Sequence, residues 1–168
     1  MKFRIDLKVF LFAILFYFTK QIELYACIMI FAFIHEIGHL AVGLLMGMRP
    51  EKIELMPFGV SISFKINIED YNKKIKNGNI LEIKKIIVAL AGPITNLTII
   101  FITLILKIET IKALTILYTN LLIIIFNLLP IYPLDGGRIL KGILHINCGK
   151  EKSEKYINNI SKLTIIII

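Results

Sequence analysis

Apolar residues run through this chain in long blocks, parted by short polar or charged stretches. The blocks at 7–19, 22–47, 85–106 and 113–129 approach the ~20 residues that a helix needs to cross ~30 Å of hydrocarbon, although the first is short. They predict four membrane spans, and a further apolar run begins near Tyr156. Between the second and third blocks the period changes. From Val60 to Ile68 apolar and polar residues alternate strictly, which predicts an amphipathic strand. Pro57 and Gly59 precede it, so a small β-hairpin with 52–56 as partner strand is expected, its apolar face towards lipid or protein. Residues 69–79 are polar and carry an Asn77-Gly78 turn signal, and they read as a cytoplasmic loop.

Composition agrees with the pattern. Hydrophobic residues make up 57% of the 168 and the mean hydropathy is +0.77, which excludes an ordinary soluble domain and predicts an α-helical integral membrane protein. The net charge of +8 invites a nucleic-acid partner, but its distribution points to topology instead. With a cytoplasmic N-terminus, Lys2, Arg4 and Lys8 lie inside, together with eight Lys/Arg at 49–85 and five at 138–155. Only Lys20, Lys107 and Lys112 are then outside, a clear positive-inside signal. No phosphate-binding glycine loop, nucleic-acid module or cleavable signal peptide is evident, and the first block is expected to stay in the protein. Cys27 falls within a span and Cys148 in an expected cytoplasmic loop, so no disulfide is expected.

The second block contains His35-Glu36-Ile37-Gly38-His39. On a helix, residues four apart share a face, so His35 and His39 can bind one Zn²⁺ while Glu36 lies beside its water. A chance match is the competing explanation. Ionisable groups at bilayer depth cost at least ~2.5 kcal/mol each on insertion scales, and they are rare there without a function. The chain has three histidines, and two of them form this motif.

A catalytic zinc keeps an open position and commonly takes three protein ligands. The best third candidate is Asp135, framed by Pro130, Pro133, Gly136 and Gly137 where the fourth block ends, and expected on irregular backbone. A solvated loop carboxylate is the alternative. Topology favours the ligand: His39 lies eight residues, about 12 Å of helix, from the inner end near Gly47, and Asp135 follows the inner end of the fourth block. The ligand set alone leaves Fe²⁺ and Co²⁺ open beside Zn²⁺.

Four segments in order, FIHEIGHLAVG at 33–43, LMPFG at 55–59, LAGPITN at 90–96 and NLLPIYPLDGGRIL at 127–140, resemble the site-2 protease family of intramembrane zinc metalloproteases, in particular its sporulation branch. The resemblance extends over about 24–144. It implies one Zn²⁺ per chain on His35, His39 and Asp135, with Glu36 as the catalytic base. It also implies a small sheet beside the metal, and it offers Pro57, Phe58, Gly59, Asn96 and Asn127 as substrate-binding positions. A tie between helices is an equal reading of Asn96.

The expected substrate is a membrane-associated regulatory protein, a sigma-factor precursor in the sporulation branch or an anti-sigma factor elsewhere in the family. The expected surroundings are the lipid bilayer of a bacterial cell and inhibitory or activating membrane partner proteins. A metal-binding membrane protein without proteolysis is the reading from another class, although an intact Glu36 argues against it. Residues 1–168 read as one membrane domain. Relatives of the sporulation branch continue through further spans to a nucleotide-responsive CBS domain, so the sequence reads as truncated before them.

Overall fold

The computed structural model describes residues 2–57, 59–65, 76–106 and 111–167. Among them the chain forms β1 (Lys2–Ile5), α1 (Lys8–Phe18), α2 (Ile22–Leu45), β2 (Arg49–Met56), β3 (Gly59–Lys65), α3 (Lys76–Ile105), α4 (Ile111–Asn127), α5 (Asp135–Cys148) and α6 (Lys150–Ile167). Two helices, α2 and the 79–105 part of α3, are long and apolar enough to cross a membrane. Among the described residues the other two expected spans are shorter. With 11 and 17 residues, α1 and α4 reach only about 16 and 26 Å at 1.5 Å per residue.

The polarity of the fold is inverted relative to a soluble protein. Phe33, Ile37, Phe101, Leu122 and Phe126 lie exposed, while His35, His39, Asn96, Thr119, Asn120 and Asp135 are buried. An apolar exterior around a polar interior suits lipid as the surrounding solvent.

The hairpin forms as the alternation predicts, with β2 and β3 antiparallel from Arg49↔Lys65 to Met56↔Gly59 and one register shift between Pro50 and Lys52. Val60 and Ile62 are buried, and Phe64 packs on Gly43 of α2. Ile66 and Ile68 lie outside the described residues. A third strand was not expected. β1 pairs in parallel with β2, Lys2 opposite Lys52 and Ile5 opposite Leu55, giving a sheet in the order β1-β2-β3. The parallel pairing has a simple cause: α1 leads away from the sheet and α2 returns to it, so both strands start from the same side. β1 rises beside β2 towards Tyr25, whose ring stacks on Phe16 of α1 and whose hydroxyl donates to the Pro57 carbonyl at 3.0 Å.

Helices α2 and α3 cross closely because Gly38 faces Ala91 and Thr95. A Cβ on Gly38 would overlap Thr95 Oγ1 and approach the Ala91 carbonyl to 3.0 Å. Pro93 sits inside α3 without ending it.

Two further differences lie towards the C-terminus. The segment 138–155, expected as a loop from its charges, is mostly the helices α5 and α6. Both are amphipathic: Gly142 of α5 packs on Ile86, and α6 buries Ser153, Ile157 and Ser161. Asp135 is the first residue of α5 and not part of irregular chain. Pro130 and Pro133 do separate α4 from α5. Gly136 and Gly137 serve close approach within the first turn of α5, since a Cβ on either would strike the carbonyl of Leu128 or Ile131.

Candidate metal centre and active site

The C-terminal half of α2 and the start of α5 bring three buried side chains to one point against the middle of α3. His35, His39 and Asp135 are 3%, 3% and 4% exposed, and one ligand atom from each lies within 4.8 Å of the others. Nε2 of His35 is 2.9 Å and Nε2 of His39 is 3.1 Å from the same Asp135 oxygen, Oδ2.

The opposite ring nitrogens decide what those contacts are. His35 Nδ1 lies 3.1 Å from Asn96 Oδ1, and His39 Nδ1 lies 2.7 Å from the Val88 carbonyl. Both partners are acceptors, and at His39 the 2.7 Å contact outweighs the 3.3 Å approach of the Gly92 N–H to the same nitrogen, so each Nδ1 carries the proton and donates it. In neutral rings both Nε2 atoms then present lone pairs to a carboxylate oxygen that is also an acceptor. A bound cation relieves that convergence, and imidazole nitrogen with carboxylate oxygen is a donor set that suits Zn²⁺. The group can therefore hold a metal ion. Asn96 and the Val88 carbonyl orient the rings from behind.

Space at the centre is guarded by Gly92. A Cβ there would overlap Nε2 of both histidines. Val88 and Gly92 are successive partners along the hydrogen-bond ladder of α3, and His39 lies against both.

Glu36 is half-buried beside His35. Ala32, Glu36 and Gly43 lie on one face of α2, and β3 runs along that face with Gly59 at Ala32 and Phe64 at Gly43. The distances agree: five strand residues and eleven helix residues each span about 16 Å. Glu36 thus sits alongside the edge strand β3. From His39 a cleft of about 420 Å³ opens between β3, α3, α5 and α6.

The other expected binding residues are dispersed. Asn96 is fully buried against His35, with Nδ2 unpartnered among the described residues, so its placement is behind the metal group. Asn127 donates to Ile123 of its own helix at 3.0 Å. Pro57 and Gly59 lie at the far turn of the hairpin beside Tyr25 and Ala32, and Phe58 is outside the described residues. Sequence reasoning did not single out the Val88 carbonyl, Gly92 as a spacer, or Arg138, whose guanidinium lies 3.9 Å from Asp135 Oδ1. A glycine within one helix turn of the buried Asn96 was the available signal for Gly92. A backbone carbonyl such as Val88 leaves no signal in side-chain identity.

A His-Glu-x-x-His helix with a distant carboxylate, set among apolar helices, defines a membrane metallohydrolase site. The chain belongs to peptidase family M50, the site-2 protease family, whose profile matches residues 23–111 and 107–168. It is 34% identical to a zinc metalloprotease of Methanocaldococcus jannaschii over 142 residues, 80% of this chain and 38% of the relative. It is 32% identical to stage IV sporulation protein FB of Bacillus subtilis over 126 residues, 73% of this chain and 40% of that protein. The chain thus spans about two fifths of the curated relatives it matches. The solved site-2 protease of M. jannaschii superimposes with a TM-score of 0.74 at 26% identity, covering 99% of this chain and 79% of that one.

Proposed function

We propose that this chain is the catalytic membrane domain of an intramembrane zinc endopeptidase that cuts a membrane-associated regulatory protein, a sigma-factor precursor first among them. One observation carries the reading: two imidazoles, each with its proton committed to Asn96 or Val88, aim their free nitrogens at one buried carboxylate oxygen. When bound, zinc supplies Lewis acidity, which acidifies water and polarises a carbonyl. His35, His39 and Asp135 hold it, and Gly92 keeps room for it. Glu36 takes the water's proton and returns it to the leaving amine.

Peptide hydrolysis within a helix first requires the backbone to unwind, because helical amides are shielded by their own hydrogen bonds. β3 is an edge strand that passes Glu36, so a substrate segment added to that edge would lie extended beside the base. The hairpin lies at the inner half of the bilayer in this reading, the N-terminus is cytoplasmic and the site opens towards the cytoplasmic leaflet. The distribution of Lys and Arg, 16 inside and 3 outside with Lys162 in the last helix uncounted, supports that orientation. The likeness to stage IV sporulation protein FB supports a sporulation substrate.

The test is co-expression of the chain, and separately of its Glu36→Gln form, with a membrane-associated sigma-factor precursor, followed by a blot. Shortening by the first and not by the second supports the reading. No shortening by either, with both proteins in the membrane, removes the sigma-factor substrate; no cleavage of any membrane peptide would remove the peptidase.

A further inference from the structure

The cleft that leads away from His39 carries an uneven charge. Five cationic side chains line it, Lys84, Lys85, Arg138, Lys141 and Lys150, against the carboxylates of Glu82 and Glu154, which leaves +3 with His145 neutral. Both carboxylates are already engaged. Glu82 pairs with Lys85 at 2.7 Å and faces His145 at 3.4 Å, and Glu154 faces Lys141 at 3.6 Å. Lys84 spends one N–H on the Met46 carbonyl at the end of α2, which anchors its ammonium at the mouth with donors to spare. Among the described residues, three positive groups, Lys84, Arg138 and Lys150, thus face a recess without a matching carboxylate, apart from the distant outer oxygen of Asp135.

Their order along the elements sets a scale. On α5, Arg138 and Lys141 stand one and two turns beyond Asp135, about 5 and 9 Å along the axis, and on α3, Lys85 and Lys84 stand one turn before Val88. An extended peptide advances about 3.3 Å per residue, so these cations meet a bound chain about one to three residues from the bond held at the metal.

We propose that the cleft selects peptides with acidic side chains on this flank of the scissile bond, about one to three residues from it. The inference rests on the peptidase reading for where the bond lies, and it adds the substrate's charge. A peptide suits the site better than an anionic lipid headgroup. The cations line a concave recess walled by an edge strand and three helices and continuous with His39, whereas a headgroup needs only an outward-facing patch.

The experiment uses the full chain as Glu36→Gln in detergent micelles, so that binding is read without cleavage. Two fluorescent peptides are compared by anisotropy, alike except for Glu or Gln at the flanking positions. The Glu peptide is expected to bind about tenfold more tightly at about 0.05 M salt and to lose most of that advantage at about 0.5 M. In Lys84→Gln/Lys150→Gln the advantage shrinks by at least about threefold, with the Gln peptide unaffected.

Equal binding of the two peptides, or an advantage that survives in the double variant, overturns the inference. So does displacement of the Glu peptide by micellar phosphatidylglycerol that depends on the same two lysines, because the recess is then a headgroup site. Cleavage by the unaltered chain is assayed separately. A chain that binds the Glu peptide preferentially but never cuts loses the peptidase reading alone, and one that cuts both peptides with equal affinity loses only the charge preference.

Discussion

Asn96 accepts a hydrogen bond from His35 at 3.1 Å across the α2–α3 interface, on a side chain with no exposed surface. That bond fixes both the tautomer and the plane of the ring. Asn96→Leu keeps the volume and removes the acceptor, and zinc affinity is expected to fall about 10–100-fold, the usual cost of losing such a partner. Titration against a chromophoric chelator measures it. An unchanged affinity would mean that Asn96 only ties the helices together.

Gly92 makes a sharper test, because its effect is one of space. In Gly92→Ala the added methyl group meets Nε2 of His35 and His39 together. Metal content by mass spectrometry is expected to fall from one per chain to near zero, while the helical circular dichroism is retained.

The crossing of α2 and α3 can be probed away from the metal. Gly38→Ala is expected to destabilise the chain by about 1–3 kcal/mol, the range for overpacking. Thr95→Ala in the same chain removes the Oγ1 that the new methyl group strikes but leaves Cβ at 3.0 Å, so it should restore part of the loss. Thermal melts in micelles give the double-mutant cycle, and purely additive effects would refute the contact.

Metal also joins elements distant in sequence. α2 and α5 each supply ligands, so saturating zinc should raise the melting temperature, by an amount equivalent to about 2.7 kcal/mol at a hundredfold excess over Kd. Asp135→Ala is expected to abolish that rise. A rise that persists in Asp135→Ala would place the ion elsewhere.

The motif on α2 was legible because helical period alone puts positions 35 and 39 together. Asp135 was legible through the prolines that separate α4 from α5, although its helical setting was not, since Gly136 and Gly137 read as breakers when they in fact admit the carbonyls of Leu128 and Ile131. The alternation at 60–68 correctly announced β3. Helices α5 and α6 were hidden by their charges, because α5 packs one face on α3 and α6 packs one face on α5, which leaves the other face of each free to be polar. β1 was hidden for another reason: the alternation Lys2-Phe3-Arg4-Ile5 lasts only four residues, too short to announce a strand alone, and its strand character comes from pairing with 52–55.

That last pairing has a consequence for assembly. Lys2 finds its partner fifty positions later, and α1 and α2 must both be laid down before β2 exists to receive it. Closing so long a loop is entropically unfavourable until the intervening helices have brought its ends together. β1 closes one side of the sheet, and among the described residues β3 is the opposite edge, alongside Glu36. A bulky fusion placed before β1 is therefore expected to disturb its pairing with 52–55 before it touches the metal.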